Sequence, residues 1–340
     1  GDGTLVGQGT VGVDSPVSAD VSVSLSCDRG DEVTVPSMVV IPAGSSSASF
    51  DLTIVDDNKI DGTQRATIAA SVVNWTGSSD DIDVLDNETN DLYVTTVSNA
   101  EEGAGLLSGF GTVSLSGVLE TDVEVALSSG DLTEVTVPAN VVIPAGQTSV
   151  NFDLTVLDDG ETDGTQTAAV SAHAAGFTDG VGQIEIFDND VHHFKIDPIA
   201  SPQIAKEPIS AVVTARDVNE RHIDSYSGGV TLSAAGTNGA VSVTPESVTM
   251  TSGQWNSSVS VNGVDRGVVI TVADSNGHTG TSNVFDVTFG AMDHFEVEPI
   301  ASPQIMDDPL EVTIRAVDAH GYINGDYNKV ANLVGIGGAQ

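Results

Sequence analysis

Carboxylates are the side chains of this sequence whose spacing best suits chemistry. Asp158-Asp159 and Asp163 fall on one predicted turn, and Asp188 and Asp190 close a later strand. Ca²⁺ takes about six to eight oxygen ligands, and carboxylates delivered from turns at one end of a sheet sandwich can supply them. If the two turns meet at one edge, a cation site is expected near residues 190/191, where it would stiffen the junction with the next domain. Asp56, Asp57, Asp61 and Asp86 set out the same pattern earlier in the chain. The plainer reading is that Asp-Asp and Asp-Gly form turns and keep sheet edges soluble.

Other motifs weigh less. Gly7-x-Gly9-x-x-Gly12 matches a dinucleotide fingerprint as a string, but Val11 and Val13 continue a strand, whereas the fingerprint needs a helix N-terminus to receive the pyrophosphate. Arg29-Gly30-Asp31 is an integrin-type tripeptide whose sibling segment reads Asp131-Leu132-Thr133, which favours a chance match. The histidines lack metal-ligand spacing, and no nucleophile elbow or Cys/His pair stands out. The chain is therefore read as non-enzymatic.

The elements that position the acids come in repeats. Ile41-Pro42-Ala43-Gly44 returns as Ile143-Pro144-Ala145-Gly146 and Asp61-Gly62-Thr63-Gln64 as Asp163-Gly164-Thr165-Gln166, always at an offset of 102. A second family pairs His193-Phe194 with His294-Phe295, and Pro198 to Ile204 with Pro299 to Ile305, at an offset of 101. Duplicated units of this size are small domains in an array. The expected boundaries are 1–90, 91–190, 191–291 and 292–340, with the first unit lacking its leading strand and the last incomplete. Both ends read as cut, so a longer parent protein is expected.

Within each unit, alternation predicts strands. Ala48, Phe50, Leu52 and Ile54 share one face, as do Val150, Phe152, Leu154 and Val156. With Gly, Pro and Asp turns between them, several such strands imply two stacked antiparallel sheets. The fold class is all-β, a tandem array of immunoglobulin-like antiparallel β-sandwich domains. Trp75 and Phe177 share a repeat position, which predicts ordinary packing for both.

Residues 1–190 resemble the Calx-beta family through the Ile-Pro-Ala-Gly turn, the alternating strand after it, the Asp-Asp pair and the closing Ile184 to Asp190. That resemblance implies calcium held by the acidic turn, by the terminal acids and by an acid before the first Gly-x-Gly. Here these are Asp158, Asp159 and Asp163; Asp188 and Asp190; and Glu102, with Glu134 a looser match. Gln64 and Gln166 stand where calcium-binding members commonly carry Glu, which implies weaker affinity, roughly 10⁻⁴–10⁻³ M. Residues 191–340 resemble bacterial immunoglobulin-like repeats related to invasin, through Ala215-Arg216-Asp217 followed by Gly229-Val230-Thr231-Leu232, although Asn219-Glu220 replaces the usual Gly-Asn turn.

Charge fits this reading. With 49 acids against 10 bases the net charge is −39, and residues 91–190 contain no Lys or Arg. Such a field repels nucleic acid and anionic membranes and attracts cations. The single Cys27 excludes an intrachain disulfide, and no stretch reads as membrane-inserting. The function expected is that of a structural or adhesive segment of a large extracellular or cell-surface protein. Its partners would be neighbouring domains of the same chain, other copies in a filament, or a surface ligand. The alternatives are a filament subunit completed by strand donation and a glycan- or protein-binding module.

Overall fold

Side-chain alternation settles which face of each strand turns inward. In Ser47–Ile54, Phe50 and Leu52 are buried while Ser47, Ser49 and Asp51 face water, and Ser149–Val156 repeats this with Phe152 and Leu154. The computed structural model describes residues 3–334. Among them every regular element is a strand, and no helix is long and apolar enough to cross a membrane. The chain divides into two compact units, Gly1–Asp159 with Gln166–Ile186, and Gly160–Thr165 with Phe187–Gln340.

The first unit holds two sandwiches. In the first repeat a sheet ordered Gly3–Gly12, Ser47–Ile54, Val33–Thr34 faces one ordered Met38–Ile41, Val21–Cys27, Gln64–Ser71, Ser78–Val84. Val33, Ile41, Phe50 and Leu52 fill the space between them. The second repeat keeps both orders and extends each: Tyr93–Thr95 pairs outside Gly105–Ser114, and Asn99–Glu101 joins beyond Gly180–Phe187. Its core gathers Leu92, Val94, Phe152, Leu154 and Ile184. The two sandwiches are tied by backbone hydrogen bonds from Ile60 N–H to Val118 O (3.0 Å) and from Val118 N–H to Asn58 O (2.7 Å).

The glycine string is explained by a bulge. The register of Gly3–Gly12 slips between Leu5 and Gly9, and that of Gly105–Ser114 between Leu107 and Gly111. Gly7 and Gly109 take left-handed conformations (φ 65° and 71°), and each N–H donates to a neighbouring-strand carboxylate, Asp51 or Asp153, at 2.7 Å. Gly9 and Gly111 then lie directly under the rings of Phe50 and Phe152, where a Cβ would collide with the ring.

In the second unit a sheet ordered His193–Ile196, Ile209–Arg216, Gln254–Val261, Val243–Thr244 faces a larger sheet built around Gly228–Gly236, Asp265–Asp274 and Phe285–Thr288. Phe194, Ile223, Met250, Ile270 and Phe285 form its core. Met292–Val297 pairs with Ile314–Asp318 as a separate two-stranded ribbon. The Asp of each Ala-x-Asp segment is buried. Asp318 accepts N–H groups from Gly290 (2.7 Å), His320 (2.9 Å) and Tyr322 (2.9 Å), so this motif residue organises the turn after it.

One expectation fails. Phe177 packs partly buried against its core, but Trp75 at the same repeat position is 49% exposed.

Because Phe152 is buried against Gly111, Gly111→Ala forces a core ring to move. Overpacking of this kind costs about 1–3 kcal/mol. Thermal unfolding should show the transition of the second repeat falling while that of the second unit stays in place.

Candidate metal centre

Sheet pairing brings the acids of the second repeat together. Val135–Thr136 pairs with the end of Ser149–Val156, so Glu134 stands next to the turn that carries Asp159, and Leu157 N–H donates to Glu134 O at 2.8 Å. On the other side Gly103 N–H donates to Leu157 O at 2.7 Å, which lays Glu102 against the same turn. Glu102 Oε1 accepts the Asp159 N–H at 2.8 Å. One carboxylate oxygen each from Glu102, Glu134 and Asp159 lies within 4.8 Å of the others. Glu102 and Glu134 are only 5% and 3% exposed, although carboxylates resist burial unless positive charge or donors meet them. Asp158 is exposed on the same turn.

The first repeat builds the matching group from Glu32, Asp57 and Asp61, again within 4.8 Å. Glu32 is absent from the motif-based set, although Glu134 minus the repeat offset points straight to it. Here the chain supplies its own cations. Arg29 reaches Glu32 Oε1 at 3.1 Å, Asp31 Oδ1 at 3.3 Å and Gln64 Oε1 at 2.9 Å, and Lys59 Nζ lies 3.2 Å from Asp57 Oδ2. Burial pushes the Glu32 carboxyl above the usual range, and the charge of Asp61 adds to this against the pull of Arg29. The hydrogen bond from Arg29 holds Asp31 below its usual value, and the bond to Asp57 raises Lys59. In the second repeat the residues at these two cation positions are Asp131 and Glu161. The tripeptide arginine is thus committed to its own neighbours.

Asp56 and Asp86 stand outside the Glu32 group. Asp56 is exposed, and Asp86 accepts the N–H groups of Gly62 (2.8 Å), Glu88 (2.8 Å) and Asp61 (3.1 Å). Burial opposes ionisation of Asp86, but these donors outweigh it and lower its pKa. Asp163, Asp188 and Asp190 belong to the second unit. Asp188, 1% exposed, accepts N–H groups from Gly164 (2.8 Å) and Asp190 (2.7 Å). Burial nevertheless raises its pKa, with the charges of Asp217 and Asp163 adding to the effect. Asp190 is half-buried and Asp163 exposed.

No protein-family model matches the chain, and no curated protein does. Several solved structures are similar to the chain at low identity. CBD12 from CALX1.2 is similar at 10% identity over 54% of this chain and 79% of that one, with a TM-score of 0.32. Invasin, a bacterial integrin-binding protein, is similar at 14% identity over 84% of this chain and 60% of that one (TM-score 0.34). Domains 4–9 of the surface layer protein SbsC are similar at 15% identity over 84% and 41% (TM-score 0.27). The likeness is one of fold class.

Arg29→Ala should lower the melting temperature of the first repeat at pH 7. Glu32, whose folded pKa is already raised, then carries its charge with less compensation. The deficit should shrink as the pH falls through that raised range and the carboxyl becomes neutral, because the lost partner no longer matters there. Melting curves of both proteins between pH 7 and pH 4 check this.

Proposed function

We propose that this chain is a segment of an extended extracellular array with a structural or adhesive task, and that its second repeat binds Ca²⁺. Glu102, Glu134 and Asp159 would hold the ion, with Asp158 within reach on the same turn. The observation that carries this reading is a contrast between sibling sites. The first repeat sets Arg29 and Lys59 beside its group, whereas the positions of these two cations in the second repeat hold Asp131 and Glu161, and one carboxylate oxygen each from Glu102, Glu134 and Asp159 lies within 4.8 Å of the others. A hard dication suits an all-carboxylate donor set, and backbone carbonyls and water complete its coordination shell. Asp188 has a separate role in this reading, holding the turn after the last strand of the repeat by accepting the N–H groups of Gly164 and Asp190.

The wider role rests on architecture and charge. Repeated sandwiches extend a chain at little folding risk, because each repeat packs mainly within itself. A net charge of −39 keeps such an array soluble and repels anionic surfaces. The four repeats, at 1–90, 91–190, 191–291 and 292–340, would act as mechanical units rather than as catalysts, joined to their neighbours in the same array.

Calorimetry of the full chain in EDTA and in 10 mM calcium tests this, with magnesium as control. A site with Kd of roughly 10⁻⁴–10⁻³ M adds about 1–3 kcal/mol at that concentration. One transition should rise with calcium and not with magnesium, and no shift in any transition would refute the site. Glu134→Gln separates charge from shape. It should hold or raise the transition in EDTA, where like charges repel, and remove the calcium shift.

A further inference from the structure

Two adjacent histidines turn towards each other at the start of the third repeat. His192 Nδ1 lies 3.1 Å from His193 Nδ1, and the rings meet edge to face with centroids 5.3 Å apart. Neighbouring residues within a strand point to opposite faces, so adjacency in the sequence does not predict this meeting. The strand His193–Ile196 begins at the second histidine, and His192 stands just outside it. Its backbone N–H donates to Arg216 O at 2.8 Å, and its exposed side chain is not bound by the alternation.

A carboxylate sets the tautomer of the inner ring. His193 Nε2 lies 3.2 Å from Glu220 Oε1, Lys195 Nζ lies 3.2 Å from Glu220 Oε2, and the Arg216 guanidinium donates to Glu220 O at 3.0 Å. The hydrogen bond from Lys195 lowers the pKa of Glu220 and keeps it ionised. An ionised carboxylate only accepts, so the proton of neutral His193 sits on Nε2 and its Nδ1 lone pair faces His192. The fourth repeat differs at this point. There Asp293 replaces His192, and its Oδ2 lies 2.9 Å from His294 Nδ1. An acid in that place draws a proton onto Nδ1, whereas a second imidazole offers a second nitrogen donor.

We propose that His192 and His193 hold one Zn²⁺ ion through their Nδ1 atoms, with Glu220 as the positioning residue behind His193. Imidazole suits zinc, whereas calcium selects oxygen ligands. Two Zn–N bonds of about 2.0–2.1 Å at the tetrahedral angle hold their nitrogens about 3.3–3.4 Å apart, so the pair opens by only a few tenths of an ångström. Without metal, His192 Nδ1–H donates to His193 Nδ1. On binding, that proton leaves Nδ1 and water returns one to Nε2 of the same ring, so the neutral pair releases no net proton. Water fills the remaining coordination positions at this exposed edge.

The site is independent of the calcium reading, and its test holds whether or not calcium binds the second repeat. The full chain is titrated with Zn²⁺ in excess calcium, which occupies oxygen-donor sites. One zinc ion should bind, and His192→Ala should abolish that binding. Glu220→Gln should weaken it roughly 10–100-fold, as loss of a carboxylate behind a ligating histidine does, and leave the melting temperature in EDTA unchanged. In long-range proton–nitrogen spectra, zinc should move the Nδ1 signals of His192 and His193 before those of the other five histidines. Equal zinc affinity in His192→Ala, or shifts at these two rings no earlier than at the others, overturns the site. Unchanged affinity in Glu220→Gln overturns the role of Glu220.

Discussion

A carboxylate drawn out of water needs positive charge or a ring of donors, and the ends of these sandwiches are arranged around that requirement. Sheet pairing fixes Glu32 and Glu134 beside their turns, because each precedes a short strand locked to the neighbouring long one. Once the glutamate is buried, the turn acids crowd it and the local charge has to be balanced. The first repeat balances it with its own side chains, Arg29 and Lys59. The second replaces those positions with Asp131 and Glu161, which deepens the negative field instead. The two sibling sites thus differ in the charge carried at these positions, two cations in the first repeat and two acids in the second. Elsewhere the donor solution prevails. Asp86, Asp188 and Asp318 are each met by backbone N–H groups and serve their turns.

Side-chain size also sets how closely strands approach at the edge of a sandwich. Glycines at 180 and 182 allow a strand to close the second sandwich tightly. The first repeat carries Ser78 and Asp80 at these positions.

Much of the fold is legible in the sequence because a strand has a period of two residues. The alternation at 48–54 and 150–156 marks the buried face directly, and the offset of 102 carries each assignment to its sibling. The glycines of 7–12 are legible as strand residues, but the bulge that requires them depends on Asp51 and Asp153 across the sheet, which sequence spacing does not reveal. Glu32 can be found by subtracting the offset from Glu134. Arg29 stands out in the sequence only as part of a tripeptide, and its actual partners lie three residues and 35 residues along the chain. The repeat position of Trp75 predicts packing because its sibling Phe177 packs. Trp75 itself is 49% exposed, which the repeat position does not reveal.

The electrostatic contrast between the siblings is most directly tested by transplanting the built-in cation. Asp131→Arg places a guanidinium three residues before Glu134, as Arg29 stands before Glu32. Calcium titration of the full chain followed by calorimetry reads the result. The account predicts that the variant melts higher than the parent protein in EDTA and no longer responds to calcium. A calcium-dependent rise that persists undiminished in the variant would contradict it.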